Sequence, residues 1–146
     1  IFDMLNKGGN GEPGFVNAQA MLARAPWAKG LNPCFEILLP DGGTCNLVTI
    51  DLAKFKDDTE GLLEAAKIIS RANYRQTIVD FNDGILQEKW NLTNTHLHLC
   101  GVSTMGVALR PDMLAYDYAR LERIITHAAY GMAEELDTPY PKNITA

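Results

Sequence analysis

Apolar positions along the chain fall into a few clear periods, punctuated by glycine and proline. Ile1 to Lys7 reads as the last two turns of a helix. Phe2 and Leu5 lie three apart there, and Gly8-Gly9 supplies a left-handed stop. Gly8 to Gly14 is a tight-turn loop, and no Gly-Lys-Ser/Thr follows to make it a phosphate cradle. A short strand is expected at Phe15-Val16. Asn17 then caps a brief helix, Ala18 to Ala25, which Pro26 ends. Residues 34–39 and 44–52 read as two strands, joined by a hairpin-type turn at Asp41-Gly42-Gly43.

Asp57-x-x-Glu60 resembles a capping box with Asp in place of Ser or Thr, and the helix it opens is expected to run to about Val79. Leu62, Ala66, Ile69, Ala72 and Val79 trace its buried stripe. Asn82-Asp83-Gly84 breaks it, and Ile85 to Trp90 reads as a short helical turn. Leu97 to Val102 predicts a strand. Arg110-Pro111-Asp112 opens the last helix, with proline at a first-turn position. Leu114, Tyr118, Leu121, Ile125, Ala128, Met132 and Leu136 keep helical spacing along it, and Thr138-Pro139-Tyr140-Pro141 closes it. Strands alternating with long helices predict an α/β layer structure with parallel strands. No repeat, low-complexity tract or domain boundary divides the sequence, so residues 1–146 read as one domain.

Composition narrows the function classes. Hydrophobic residues make up 47% and charged residues 21% of 146, an ordinary globular balance. The net charge of −5 gives no basic surface for nucleic acid or anionic membrane. No apolar run approaches the ~18 residues of a spanning helix. Three cysteines make no disulfide framework and point to a reducing, cytoplasmic setting. The chain opens on Ile1 inside an expected helix, so it reads as a piece of something longer.

The chemistry concentrates between residues 32 and 45. Asn32-Pro33-Cys34-Phe35-Glu36 is followed by a second thiol at Cys45. Proline fixes its own φ and pushes Asn32 toward an extended conformation, which presents Cys34 at a loop tip or a strand start. Were residues 34–39 extended, Cys34 and Glu36 would share one face. For an arbitrary Cys-x-Glu, a buried thiol beside a surface charge is the commoner arrangement. Asn-Pro-Cys-x-Glu with Cys45-Asn46-Leu47 shortly after it, however, resembles the finger loop of ribonucleotide reductase large subunits. Asn10-Gly11-Glu12-Pro13-Gly14-Phe15 resembles that family's upstream turn, and Gly101-Val102-Ser103-Thr104-Met105-Gly106 its glycine-punctuated late strand.

The resemblance implies part of a ten-stranded α/β barrel, with this loop at its centre. It implies that Cys34, as a thiyl radical, abstracts the ribose 3′ hydrogen and that Glu36 is the general base. Asn32, with Pro33 beside it, would hold the substrate, and Cys45 would be one half of the reducing dithiol. Cys34 and Cys45 are eleven positions apart, a short gap that resembles the adenosylcobalamin-dependent class. The alternative is the iron-dependent class, with a separate di-metal radical subunit. Implied partners are a ribonucleoside di- or triphosphate, the remaining segments of the reductase and a thioredoxin- or glutaredoxin-like reductant. A non-catalytic barrel remnant used for assembly or binding is the alternative function. The partner thiol of Cys45, the phosphate loop and any cobalamin motif are not visible in these 146 residues.

Two further constellations stand out along the chain. His96, His98 and Cys100 alternate and would share one strand face. Imidazole and thiolate suit zinc, but no fourth ligand is predicted by spacing, so no metal site is assigned. Tyr116, Tyr118 and Tyr130 lie on the last helix and read as packing or surface residues rather than a radical relay.

Overall fold

A three-stranded parallel sheet backed on one face by two long helices organises the larger part of the chain, which is of mixed α/β class. The computed structural model describes residues 2–9, 14–35, 37–81 and 84–146, the side chain of Tyr116 excepted. The chain divides into two units, Ile1–Asp41 and Gly42–Ala146.

In the first unit, α1 (Phe2–Gly8) ends at Gly9, whose φ of 61° is the left-handed stop expected there. Phe15 and Val16 form no strand; the Phe15 ring stacks on Phe2 instead, centroids 5.5 Å apart. Asn17 caps α2 (Ala18–Arg24) by accepting from the Ala20 amide at 3.0 Å. β1 (Gly30–Leu31) and β2 (Leu38–Leu39) pair antiparallel, with Leu31 opposite Leu38. The expected strand over 34–39 is therefore reduced to its last two residues. Its partner lies upstream, not across Asp41-Gly42-Gly43. Pro33 and the turn it favours hold residues 32–35 out of extended conformation.

In the second unit, β3 (Asn46–Asp51), β4 (Cys100–Met105) and β5 (Ile144–Thr145) form the parallel sheet, with β4 central. β3 and β4 pair along their whole length, Asn46 opposite Cys100 through Asp51 opposite Met105. Between them come α3 (Thr59–Gln76) and α4 (Glu88–Leu97); α5 (Ala115–Glu135) connects β4 to β5. Ile50 and Val102 point to the helices and pack with Leu62, Leu63, Leu121 and Ile125 around Leu52, which is fully buried. The opposite sheet face carries Leu47, Thr49, Ser103 and Met105, all exposed. At Gly101 a Cβ would stand 2.3 Å from Leu47 Cδ2, so glycine lets the leucine lie flat across the neighbouring strand.

Several boundaries differ from expectation. The α3 cap is Asp58, not Asp57; its carboxylate accepts from the Gly61 amide at 2.8 Å. α3 stops at Gln76, and Ala72 and Val79 are exposed. Its buried stripe continues instead through Ser70, Asn73, Tyr74 and Thr77, polar groups that an apolar count passes over. α4 is longer than one turn and ends on His98, in left-handed conformation at φ 44°. The strand consequently starts at Cys100, after Leu97 has closed the helix. Arg110-Pro111-Asp112 is a turn ahead of α5, not its first turn. There the buried Arg110 guanidinium donates to the carbonyls of Leu52 and Phe55 and to the Asp112 carboxylate.

Leu52→Ala should cost about 3 kcal/mol, since a fully buried leucine is replaced by a cavity; the urea midpoint of unfolding reads it. The buried His98 ring has its pKa lowered, first by burial, an effect opposed by the backbone of Thr77 and Thr95 and assisted by the His96 charge. The unfolded chain then binds the proton more readily. Stability from this group is complete above the unfolded value of about 6.5 and declines as pH falls below it. The melting temperature should drop as pH falls from about 6.5 to 5.5, and less so in His98→Asn, which accepts the left-handed backbone.

Candidate functional site

The first thiol stands at the tip of the β1–β2 hairpin. Phe35 N–H donates to the Asn32 carbonyl at 3.0 Å, which closes a four-residue turn. Pro33 occupies its second position and Cys34 its third, the arrangement in which the proline φ shapes the turn in advance. The Asn32 side chain is buried, and its Oδ1 accepts from the Ile37 amide at 2.9 Å. Asn32 N–H in turn donates to the Ile37 carbonyl at 3.2 Å. Asn32 thus ties both ends of the loop together, and Cys34 is left exposed.

Phe35, next to the thiol, has φ 67°. A bulky aromatic residue rarely adopts that backbone, and such strain persists only where surrounding structure enforces it. The Phe35 ring lies against Gly14, where a Cβ would stand 2.7 Å from it. Gly14 and the residue beside the thiol are therefore packed together. Nothing in the spacing of residues 14 and 35 announced this contact. Glu36, the expected base, and residues 10–13 of the upstream turn lie outside the described residues.

The second thiol, Cys45, belongs to the second unit and is exposed one residue before β3. Both flanking residues are anchored. On one side, Thr44 donates to Asn94 Oδ1 of α4 at 2.9 Å. On the other, the Asn46 side chain donates to the Leu99 carbonyl at 3.3 Å, and its own carbonyl accepts from Asn73 of α3 at 3.1 Å. Asn73 is fully buried, and its Oδ1 has no hydrogen-bond partner among the described residues. Asn94 also donates to the Thr77 carbonyl, and the Thr77 hydroxyl lies 2.9 Å from His98 Nδ1. A continuous buried polar network thus runs behind Cys45.

No protein-family model matches the chain, and neither a curated protein nor a solved structure matches it.

The alternating trio is not a metal face. His96 lies in α4, His98 caps that helix and Cys100 opens β4, so no single strand carries them. Among the described residues, no three His, Cys, Asp or Glu side chains converge to hold a metal ion. Nor is any helix among them long and apolar enough to cross a membrane. Cys100 is buried, and burial pushes its thiol pKa up to about 12. Sequence reasoning missed Asn73, Asn94 and Thr77, and the contact of Gly14 with Phe35. For Asn73 the signal was a run of polar residues at helical spacing on the buried side of α3, Ser70 and Asn73; Asn94 and Thr77 carried none.

Iodoacetamide at pH 7.5 should label Cys34 and Cys45 and leave Cys100 at least about 100-fold slower, because the thiolate is the nucleophile. Peptide mass spectrometry of the folded chain reads the three sites separately.

Proposed function

We propose that the chain is the finger-loop segment of a ribonucleotide reductase catalytic subunit. The observation that carries this is Cys34: an exposed thiol at the tip of a turn set by Pro33, tied by Asn32 and flanked by a strained Phe35. A structural cysteine has no need of such presentation. The open face of the parallel sheet, with Leu47, Thr49, Ser103 and Met105, adds support. Parallel sheets are ordinarily covered on both faces, and the inward face of a ten-stranded α/β barrel would be of this kind.

In that role the Cys34 thiyl radical removes the hydrogen from the ribose 3′ carbon. Glu36 accepts the 3′ hydroxyl proton, a dithiol proton passes to the 2′ hydroxyl, the bond from C2′ to its oxygen breaks, and water leaves. Cys45 and a partner thiol give two electrons and two protons and end as a disulfide, which a thioredoxin- or glutaredoxin-like protein reduces. The Cys34 hydrogen returns to C3′, and the deoxyribonucleotide departs. Asn32 acts by shaping the turn that presents the thiol. The cofactor class is adenosylcobalamin, which when bound supplies the oxidising radical; a di-metal radical subunit is the alternative source. The residue of this chain that fits either source is Cys34, whose thiol is exposed.

In the complete enzyme, Cys34→Ser and Glu36→Gln should each lower nucleotide reduction by at least about 1000-fold with the circular dichroism spectrum unchanged. Cys45→Ser should abolish multiple turnovers. Normal turnover by the Cys34 variant would leave the chain as a non-catalytic assembly segment. Assays with and without adenosylcobalamin separate the two radical sources.

A further inference from the structure

Cys45 lies just outside the sheet that carries it. The ladder between β3 and β4 begins at Asn46, opposite Cys100, so strand pairing does not reach the thiol. Gly42 and Gly43 come shortly before it, and Gly42 is left-handed at φ 79°, so the approach has little stiffness of its own. Hydrogen bonds from two helices hold the neighbours of the thiol instead. Thr44 donates to Asn94 Oδ1 of α4 at 2.9 Å, and Asn94 is itself fixed by donating to the Thr77 carbonyl at 2.6 Å. On the other side, Asn73 Nδ2 of α3 donates to the Asn46 carbonyl at 3.1 Å.

Asn73 makes that contact at a cost in stability. It is fully buried, and its Oδ1 has no hydrogen-bond partner among the described residues. An unmet buried acceptor destabilises a fold, and a leucine of similar size would avoid it. A leucine could not hold the Asn46 carbonyl. The amide at this position favours placement of the strand entry over stability.

We propose that Thr44 and Asn73 are positioning residues for Cys45, one on each side, which fix its sulfur for disulfide formation. This deepens the reductase reading and rests on it. A disulfide needs its two Cβ atoms within about 3.5–4.5 Å, so a thiol on a loose strand entry seldom meets its partner in bonding geometry. The co-reactant is the second thiol of the reductase. In the step, two S–H bonds and the C2′–O bond break, while one S–S bond, one C2′–H bond and one O–H bond of water form. Cys34 stands apart from this clamp, because its turn is tied within the first unit by Asn32.

The test uses the complete enzyme and a nucleotide tritiated at C3′. Cys34 removes that tritium and its S–T bond exchanges with water, so released tritium reports the first step and deoxynucleotide the whole reaction. Thr44→Val and Asn73→Leu should each raise the ratio of tritium released to deoxynucleotide formed at least about tenfold, since small misplacements of a reacting group cost rates on that scale. Thr44→Ser, which keeps the hydroxyl, should restore the original ratio. A variant that merely loses folded enzyme lowers both signals together and leaves the ratio unchanged. Should Asn73→Leu fail to fold by circular dichroism, Thr44→Val, at a half-buried position, carries the test. An unchanged ratio in folded Thr44→Val overturns the proposal, and so does a Thr44→Ser that behaves like Thr44→Val. Loss of turnover in Cys45→Ser with an unchanged ratio in Thr44→Val sinks the clamp alone. Normal turnover in Cys45→Ser sinks the dithiol role of Cys45 and the clamp with it.

Discussion

The buried amide and hydroxyl chain from Thr44 through Asn94 and Thr77 to His98, with Asn73 and Asn46 beside it, is the constraint on which the second unit depends. It joins α3, α4, the start of β3 and the approach to β4 at one place. Each group would cost free energy if buried alone, so the set stands only when its members find one another. That makes it directional in a way an apolar core is not. The core around Leu52 would tolerate small shifts of helix against sheet, whereas the Asn46 and Asn94 contacts would not. The entry to β3, and with it the exposed Cys45, is held by hydrogen bonds rather than by packing.

The first unit solves a similar problem with fewer residues. Among its described residues the buried ones are Ala25, Ala28, Asn32 and Ile37, mostly small. The hairpin tip is shaped by one asparagine, one proline and an aromatic residue in left-handed conformation resting on a glycine. At that tip local covalent restriction does the shaping. A loop built this way can expose a thiol and still hold its backbone, which a floppy loop cannot. The two thiols are thus presented by different means: Cys34 by turn stereochemistry, Cys45 by anchored neighbours.

The mixed α/β class, the parallel pairing and the two long helices were legible because they rest on apolar periodicity, which survives in Leu62, Ala66, Leu121 and Ile125. The thiol at a loop tip was legible because Pro33 acts on backbone torsions locally. The strand over 34–39 was not, because a turn closed by Asn32 and Phe35 competes with extension and wins through hydrogen bonds that no propensity records. The expected same-face pairing of Cys34 with Glu36 loses its basis with that strand. The His96-His98-Cys100 alternation failed for a related reason: α4 continues to Leu97, and its left-handed cap at His98 resets the side-chain direction before β4 begins.

By itself the sequence determined the local items: the caps at Asn17, the stop at Gly9, the rigid approach to Cys34 and the helical faces. Each is decided within a few residues by sterics, caps or period. Tertiary structure alone decided which strand pairs with which, that Ser70 and Asn73 of α3 are buried, and that Phe35 rests on Gly14. These depend on groups far apart in the chain meeting in space. Their energies come from desolvation and directional hydrogen bonding, which exist only once both partners are in place.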